Sequence, residues 1–423
     1  MTQVRRLGRD TFTSLHNRNY RLYFIGQTIS VSGTWMQNIA QAWLILDLTH
    51  SGTALGIVTA LQFLPMLVFG AWGGVLADRF DKRRLLYGTQ IAAGILALTL
   101  GIIVGTGHAA VWNVYLLAVL LGFVNVVDNP ARQTFVLEMV GREDLPNAVS
   151  LNSVVMNSAR VVGPAIGGLL IRFFGVGPCF YINAVSYIGV IVALMMMNAS
   201  LLHRMPTVER AKGQLREGLR YAWSEPMVRV PLLMMAVIGT LAFNFQVVIP
   251  LIATKTFHTG SAGFGLLYAI LGAGAVLGGL SVASRRGVSY RRLIVLSMVM
   301  GVMIMVAAVA PTLLTEGIAM FAMGAAAFAF IAVANTTIQL TSAPEMRGRV
   351  MALYAIAFLG STPVGGPIVG WISQHYGPRF GFAIGGIATI VATAIAAWSL
   401  VRHRSRASTD RDRGRDVIAV PAT

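Results

Sequence analysis

The chain is short of charge. Only 12% of its 423 residues are Asp, Glu, Lys or Arg, against about 25% in a typical soluble domain. Acids are scarcest, at 16, and Lys82, Lys212 and Lys255 are the only lysines. A lone cysteine, Cys179, excludes an intrachain disulfide and a thiolate metal cluster. No G-x-x-x-x-G-K-[ST] stretch occurs, which excludes a built-in phosphate-binding loop and so a self-contained ATPase. The seven histidines are scattered, with no metal-ligand spacing, and His258 and His375 read as solvated. No nucleophile–base pair stands out, so covalent chemistry has no carrier.

What is present is oil. Hydrophobic residues make up 56% of the chain, and apolar runs of membrane-spanning length recur throughout. They predict twelve spans, at 20–46, 52–77, 84–106, 111–135, 147–173, 177–199, 228–253, 262–284, 291–311, 315–340, 347–374 and 379–401. The first run is too long and too polar for a cleavable signal and is expected to remain as span 1. The longest connection divides the chain into an N-terminal six-helix bundle (1–199), a cytoplasmic linker (200–226), a C-terminal six-helix bundle (227–401) and a disordered tail (402–423). Within the linker, Leu215, Leu219 and Trp223 recur every fourth residue among Arg216, Glu217 and Arg220. That spacing reads either as an amphipathic helix on the membrane surface or as a plain spacer.

The net charge of +17 does not point to nucleic acid, because its distribution follows a bilayer. Nearly all basic residues fall on one side of the predicted spans: Arg5, Arg6, Arg9, Arg18 and Arg21; the 2/3 and 4/5 loops; the linker; the 8/9 and 10/11 loops; and the arginine-rich tail. Arg172, Lys255 and Arg379 fall on the other, and Arg160 lies inside span 5. By the positive-inside rule both termini face the cytoplasm. The bilayer is thus the expected partner, and a plasma membrane the expected location.

The halves read as copies. Gly163-Pro164-Ala165-Ile166-Gly167 returns as Gly366-Pro367-Ile368-Val369-Gly370 after 203 positions, Gly73-Gly74 as Gly278-Gly279 after 205, and Gln133 as Gln339 after 206. Three anchors at nearly one offset argue for duplication of a six-span unit.

The hairpin between spans 2 and 3, Gly74-Val75-Leu76-Ala77-Asp78-Arg79-Phe80-Asp81-Lys82-Arg83-Arg84, is the most specific motif. It resembles the 2/3-loop signature of the major facilitator superfamily. Gly74, Asp78, Arg79, Lys82 and Arg83 match that signature, while Asp81 stands where many members have glycine. The resemblance implies an all-α membrane fold of two pseudo-symmetric six-helix bundles, with the solute site between the repeats. It also implies that Asp78 meets the N-terminal end of span 11, and that the basic residues meet acids on span 4. Asp128 is the obvious acid, with Arg132 one turn along the same face. Plain positive-inside anchoring is the alternative role for this cluster.

In span 5, Ala159 to Gly168 resembles the superfamily's antiporter signature, with Ala159 in place of its first glycine. Pro164 should kink the helix, and Gly163, Gly167 and Gly168 should give a smooth face against span 8. The signature implies efflux rather than uptake. Arg160 is costly inside a membrane; it either pairs with Asp128, the preferred reading, or holds an anionic or carbonyl-bearing substrate. In span 1, Gln27, Ser30, Thr34, Gln37 and Gln41 share one helical face. Trp35 joins them, with Asn125, Phe243, Asn244, Gln246 and Asn335 from spans 4, 7 and 10, as candidate lining of an amphipathic cavity. Interhelical hydrogen bonding is the alternative use of each amide.

Segments such as Asp128-Asn129-Pro130-Ala131-Arg132-Gln133 and Glu217-Gly218-Leu219-Arg220-Tyr221 carry a narrower resemblance, to the bacterial enterobactin-exporter and macrolide-efflux group. The expectation is a monomeric secondary transporter without cofactor. It would export a small amphipathic molecule (a drug, siderophore or metabolite) against a proton gradient. Uptake by symport, and a transport-inactive sensor or scaffold, stand as alternatives.

Overall fold

The computed structural model describes residues 13–203, 214–283 and 290–416; Arg5, Arg6, Arg9, Arg204, Arg210, Lys212, Arg285 and Arg286 lie outside them. The described residues are helical almost throughout, and each helix end has a local cause. Span 1, Arg18–Thr49, is capped by Asn17, whose side chain accepts from the N–H groups of Asn19 and Tyr20. Span 2, Gly52–Arg79, is capped by Ser51. Asp81 caps span 3, Lys82–Gly105, by accepting from Arg84 N at 3.0 Å. The residue that departs from the superfamily's glycine therefore starts the next helix.

Spans 4 and 5 form one helical run, Val111–Phe174, that bends at Gly141, where φ is 75°. A 4/5 loop was expected there. Instead the helix continues past Glu138 on one side of the bend and resumes at 142, because glycine alone adopts that turn without strain. Span 6 is Gly177–Met196.

In the second half, Gln214–Ser224 is a short helix. Gly218 rests on Arg349, Glu217 pairs with Arg349 at 2.8 Å, and the Tyr221 hydroxyl accepts from Ala343 N at 3.0 Å. This leaves Leu219 and Trp223 exposed, as an interfacial helix requires. Span 7 is broken into Pro226–Leu241 and Phe245–Leu251, followed by a π turn, Ile252–Thr256. Spans 8, 9 and 10 are Gly260–Ala283, Tyr290–Val309 and Leu313–Thr341. Span 11 is broken into Arg347–Leu359 and Thr362–His375, the second piece opening on Pro363. The last helix, Pro378–Asp416, runs beyond the predicted end of span 12 into the tail expected to be disordered, a stretch rich in helix-favouring Arg.

Among the described residues, ten helical stretches are long and apolar enough to cross a bilayer. The run Val111–Phe174 is one of these and supplies two spans by its bend. Span 1 completes the set of twelve; its length suffices, but its polar residues keep it out of that apolar group. The duplicated glycines do the same work twice. A side chain on Gly73 would collide with the Val126 carbonyl, joining span 2 to span 4, and one on Gly278 would collide with the Ala325 carbonyl, joining span 8 to span 10.

Candidate translocation pathway

Two glycine seams close one end of the molecule between the halves. Span 2 meets the second piece of span 11, where Gly52 faces Gly370 and Gly56 faces Gly366 with no room for a side chain. Gln374 locks this seam: its Oε1 accepts from Gly52 N at 2.8 Å and from Lys255 Nζ at 2.9 Å. Span 5 meets span 8, where a Cβ on Gly168 would stand 2.7 Å from Ser261 O and 2.9 Å from Gly265 Cα. Span 1 adds Trp43 stacked on Phe264, with ring centroids 6.5 Å apart. This closed end carries Arg172, Lys255 and Arg379. Toward the other end, which carries the basic loops, span 2 and the first piece of span 11 touch little. Nothing lies within 4 Å of where a Cβ on Gly279 of span 8 would be.

The antiporter-like face is divided between two neighbours. Gly163 and Gly167 press on Trp35 and Met36 of span 1, and only Gly168 reaches span 8. The expectation that all three face span 8 is corrected, since Gly168 lies about 100° around the helix from Gly167. The Pro164 carbonyl sits against Gly265, on the span 8 side.

One hairpin base meets an acid of the span 4 helix, as the resemblance implies, but that acid is Glu138 rather than Asp128. Lys82 pairs with Glu138 at 2.6 Å. Arg83 donates to the carbonyls of Leu194 and Met195 at 2.8 and 3.2 Å, capping the end of span 6. Arg79 is exposed and Asp78 half-buried. Asp128 is buried and held by Arg132 on its own helix, by Thr89 Oγ1 at 2.7 Å and by Gln90 Nε2 at 2.8 Å. It therefore pairs neither with the hairpin nor with Arg160.

The span 1 stripe is largely glue. Gln27 accepts from Arg132 at 3.2 Å, Gln37 accepts from Asn183 at 2.7 Å, and Thr34 donates to Ser30 O at 3.0 Å. Gln27, Gln37 and Gln41 are all buried, and Gln27 and Gln37 turn to spans 4 and 6 rather than to a cavity. Asn244 is buried too, at the break in span 7, donating to Thr240 O at 2.6 Å. Asn125, Phe243, Gln246 and Asn335 are partly exposed, and Asn335 accepts from Gln339.

A second polar stripe went unread in the sequence. Ser150, Ser153, Asn157 and Arg160 are spaced 3, 4, 3 along one face of span 5. Ser150 and Ser153 are exposed, and Asn157 partly so, within a membrane helix. The stripe ends at Arg160, whose Cζ lies 5.0 Å from the Trp35 ring and 4.2 Å from the Phe328 ring. Tyr268 of span 8 lies against Trp35, ring centroids 6.0 Å apart, with Gln246 in polar reach of its hydroxyl. The backbone of Arg160 itself abuts Gly272. The same 3, 4 spacing that marked span 1 would have found this stripe. Phe328 and Gln374 had no such signal.

Helical halves that meet on duplicated glycine seams at one end and part at the other have the architecture of a polytopic membrane protein. The chain belongs to the transmembrane secretion effector family of the major facilitator superfamily, whose pattern matches residues 9–416. It is 28% identical to the multidrug efflux pump Tap of Mycolicibacterium fortuitum over 82% of this chain and 87% of that one. It is 24% identical to the enterobactin exporter EntS of Citrobacter koseri over 88% and 89%. The staphyloferrin A transporter of Staphylococcus aureus is 23% identical, but the match spans 61% of this chain and 65% of that one, under two thirds of its length. In fold the chain is similar to an inward-facing, unoccupied bacterial homologue of the human lysosomal transporter Spinster, with TM-score 0.68 and 15% identity over 90% of this chain and 96% of that one. A mutant of the nucleoside transporter NupG gives TM-score 0.72 and 13% identity over 90% and 100%.

Proposed function

We propose that this protein is a secondary exporter that moves a small amphipathic organic molecule out of the cytoplasm by alternating access, driven by a proton gradient. The carrying observation is the asymmetry between its ends: sealed where basic residues are few, parted where they are many. With the basic loops cytoplasmic, this is the inward-facing state, ready to receive cargo from inside. Both termini then lie in the cytoplasm of a bacterial cell, and the protein works as a monomer in the plasma membrane. The relatives' names, an efflux pump and two siderophore transporters, support export of drug-like or siderophore-like cargo.

In this reading the antiporter-like glycines hold the span 5/8 and span 1/5 contacts tight. The hairpin's Lys82 and Arg83 brace spans 4 and 6 at the cytoplasmic end. Coupling requires a group whose proton occupancy differs between the two states. Three carboxylates are buried among the described residues, Asp128, Glu138 and Glu316, and the two that fall within the predicted spans, Asp128 and Glu316, are the candidates.

Everted vesicles holding the full chain, acidified inside, test the proposal with a panel of lipophilic fluorescent dyes and a catecholate siderophore. Uptake that a protonophore abolishes is expected. Accumulation in right-side-out vesicles instead would make the protein an importer.

A further inference from the structure

Arg160 carries a positive charge inside the membrane to the place where the two halves meet. Its Nε and Nη1 are buried without a hydrogen-bond partner, although a guanidinium offers five donors. Among the described residues no carboxylate is paired with it: Asp128, the acid the sequence offered, is taken by Arg132. What surrounds it is aromatic and comes from both halves, with Trp35 of span 1 on one side and Phe328 of span 10 and Tyr268 of span 8 on the other. Cation–π contacts offset only part of the cost of an unpaired intramembrane charge. A helix needing only to fill this space would be served better by an apolar side chain. The exposed polar stripe Ser150, Ser153, Asn157 leads to Arg160 from the parted end.

We propose that Arg160 is the countercharge for the cargo, and that the cargo is a small organic oxyanion on an aromatic body. The oxyanion would take the unpartnered guanidinium donors, with the fork geometry that suits a carboxylate. The body would lie among Trp35, Phe328 and Tyr268. Because those rings belong to both halves, a bound anion touches both bodies that must move, which is how a substrate biases an alternating-access equilibrium. The inference deepens the exporter reading and rests on it for the direction of travel. The binding chemistry itself is independent of direction.

The test is equilibrium binding to the purified full chain in lipid nanodiscs, comparing 1-naphthoate with its neutral isostere 1-naphthamide by titration calorimetry. Wild type should bind naphthoate about tenfold more tightly, the worth of a modest charge-assisted contact. Arg160→Gln should bring naphthoate down to the level of naphthamide and leave naphthamide unchanged. Arg160→Lys should restore part of the preference, since it keeps the charge and loses the fork. Absence of preference in wild type, or an undiminished preference in Arg160→Gln, overturns the proposal.

If Arg160→Gln does not fold, wild type alone decides. Phenylglyoxal modification of Arg160, read by mass spectrometry, should be slowed by naphthoate and not by naphthamide; equal rates with the two compounds overturn it. Failure of gradient-driven transport alongside a firm naphthoate preference would sink the exporter reading and leave the anion site standing.

Discussion

The two halves share a scaffold and differ in how they hold charge. The Gly-Pro copy in span 5 reaches span 8 through Gly168, and its counterpart in span 11 meets span 2 through Gly366 and Gly370. Gly73 and Gly278 serve equivalent contacts within each half. The acids break this symmetry. In the first half Asp128 and Glu138 are buried and paired, with Arg132 and Lys82. In the second, Glu316 is equally buried, yet neither carboxylate oxygen has a hydrogen-bond partner. Arg379, whose charge bears on Glu316, gives a hydrogen bond to the Ala310 carbonyl at 2.9 Å. Duplication has kept what backbones need in order to approach one another, and the halves have diverged where charge acts.

The sharpest way to break this comparison is to neutralise one acid in each half. Asp128→Asn leaves the Arg132 guanidinium without its counter-ion in a mostly buried site, which should cost about 3 kcal/mol. Glu316→Gln removes a carboxylate that makes no hydrogen bond and should cost far less. Thermal unfolding of the full chain in detergent checks both. Equal losses would mean that the halves hold their acids alike.

The seams give the next largest effect, and here the halves should agree. Gly56→Leu would drive a side chain into Gly366, and Gly168→Leu one into Ser261 and Gly265. Each should lower export at least about tenfold, since close backbone approach tolerates no bulk. Initial rates in everted vesicles measure it. A large effect from one seam alone would show that only that seam must close during the cycle.

Glu316 should then part from Asp128 in coupling. Glu316→Gln should retain exchange of labelled substrate at equilibrium while losing acceleration by a pH gradient. If the gradient still drives the variant as it drives wild type, Glu316 is not the coupling group and Asp128 takes its place as the candidate.

These contrasts also explain how much was legible beforehand. Twelve spans, their ends to within a few residues, and the glycine duplication could be read because apolar length and small-residue spacing are local properties of the chain. Partner choice could not. Asp128 and the hairpin bases looked complementary, but whether Lys82 reaches Asp128 or Glu138 depends on helix rotation and on the continuous 4/5 run, which polar residues around Gly141 disguised as a loop. Span 1's amides were readable as one face, yet nothing in their spacing says whether that face meets water or Asn183 and Arg132. Arg160 was legible as an anomaly, and its role turned on which partner Asp128 had already taken.

The smallest expected effect concerns the lock at the sealed end. Gln374 accepts from both Gly52 N and Lys255 Nζ, so Gln374→Leu removes one side chain's bridge across the span 2/11 seam and leaves the glycines in contact. A hydrogen bond of this kind contributes about 1 kcal/mol net, enough to raise the population open at this end about fivefold. Cys179 is fully buried, so a Thr53→Cys probe beside the seam reports with little background. Its alkylation by a membrane-impermeant maleimide should quicken about fivefold when Gln374→Leu is added. No change would place the closing force wholly in the glycine contacts, and the two seams, one with a polar lock and one without, would then be energetically equivalent.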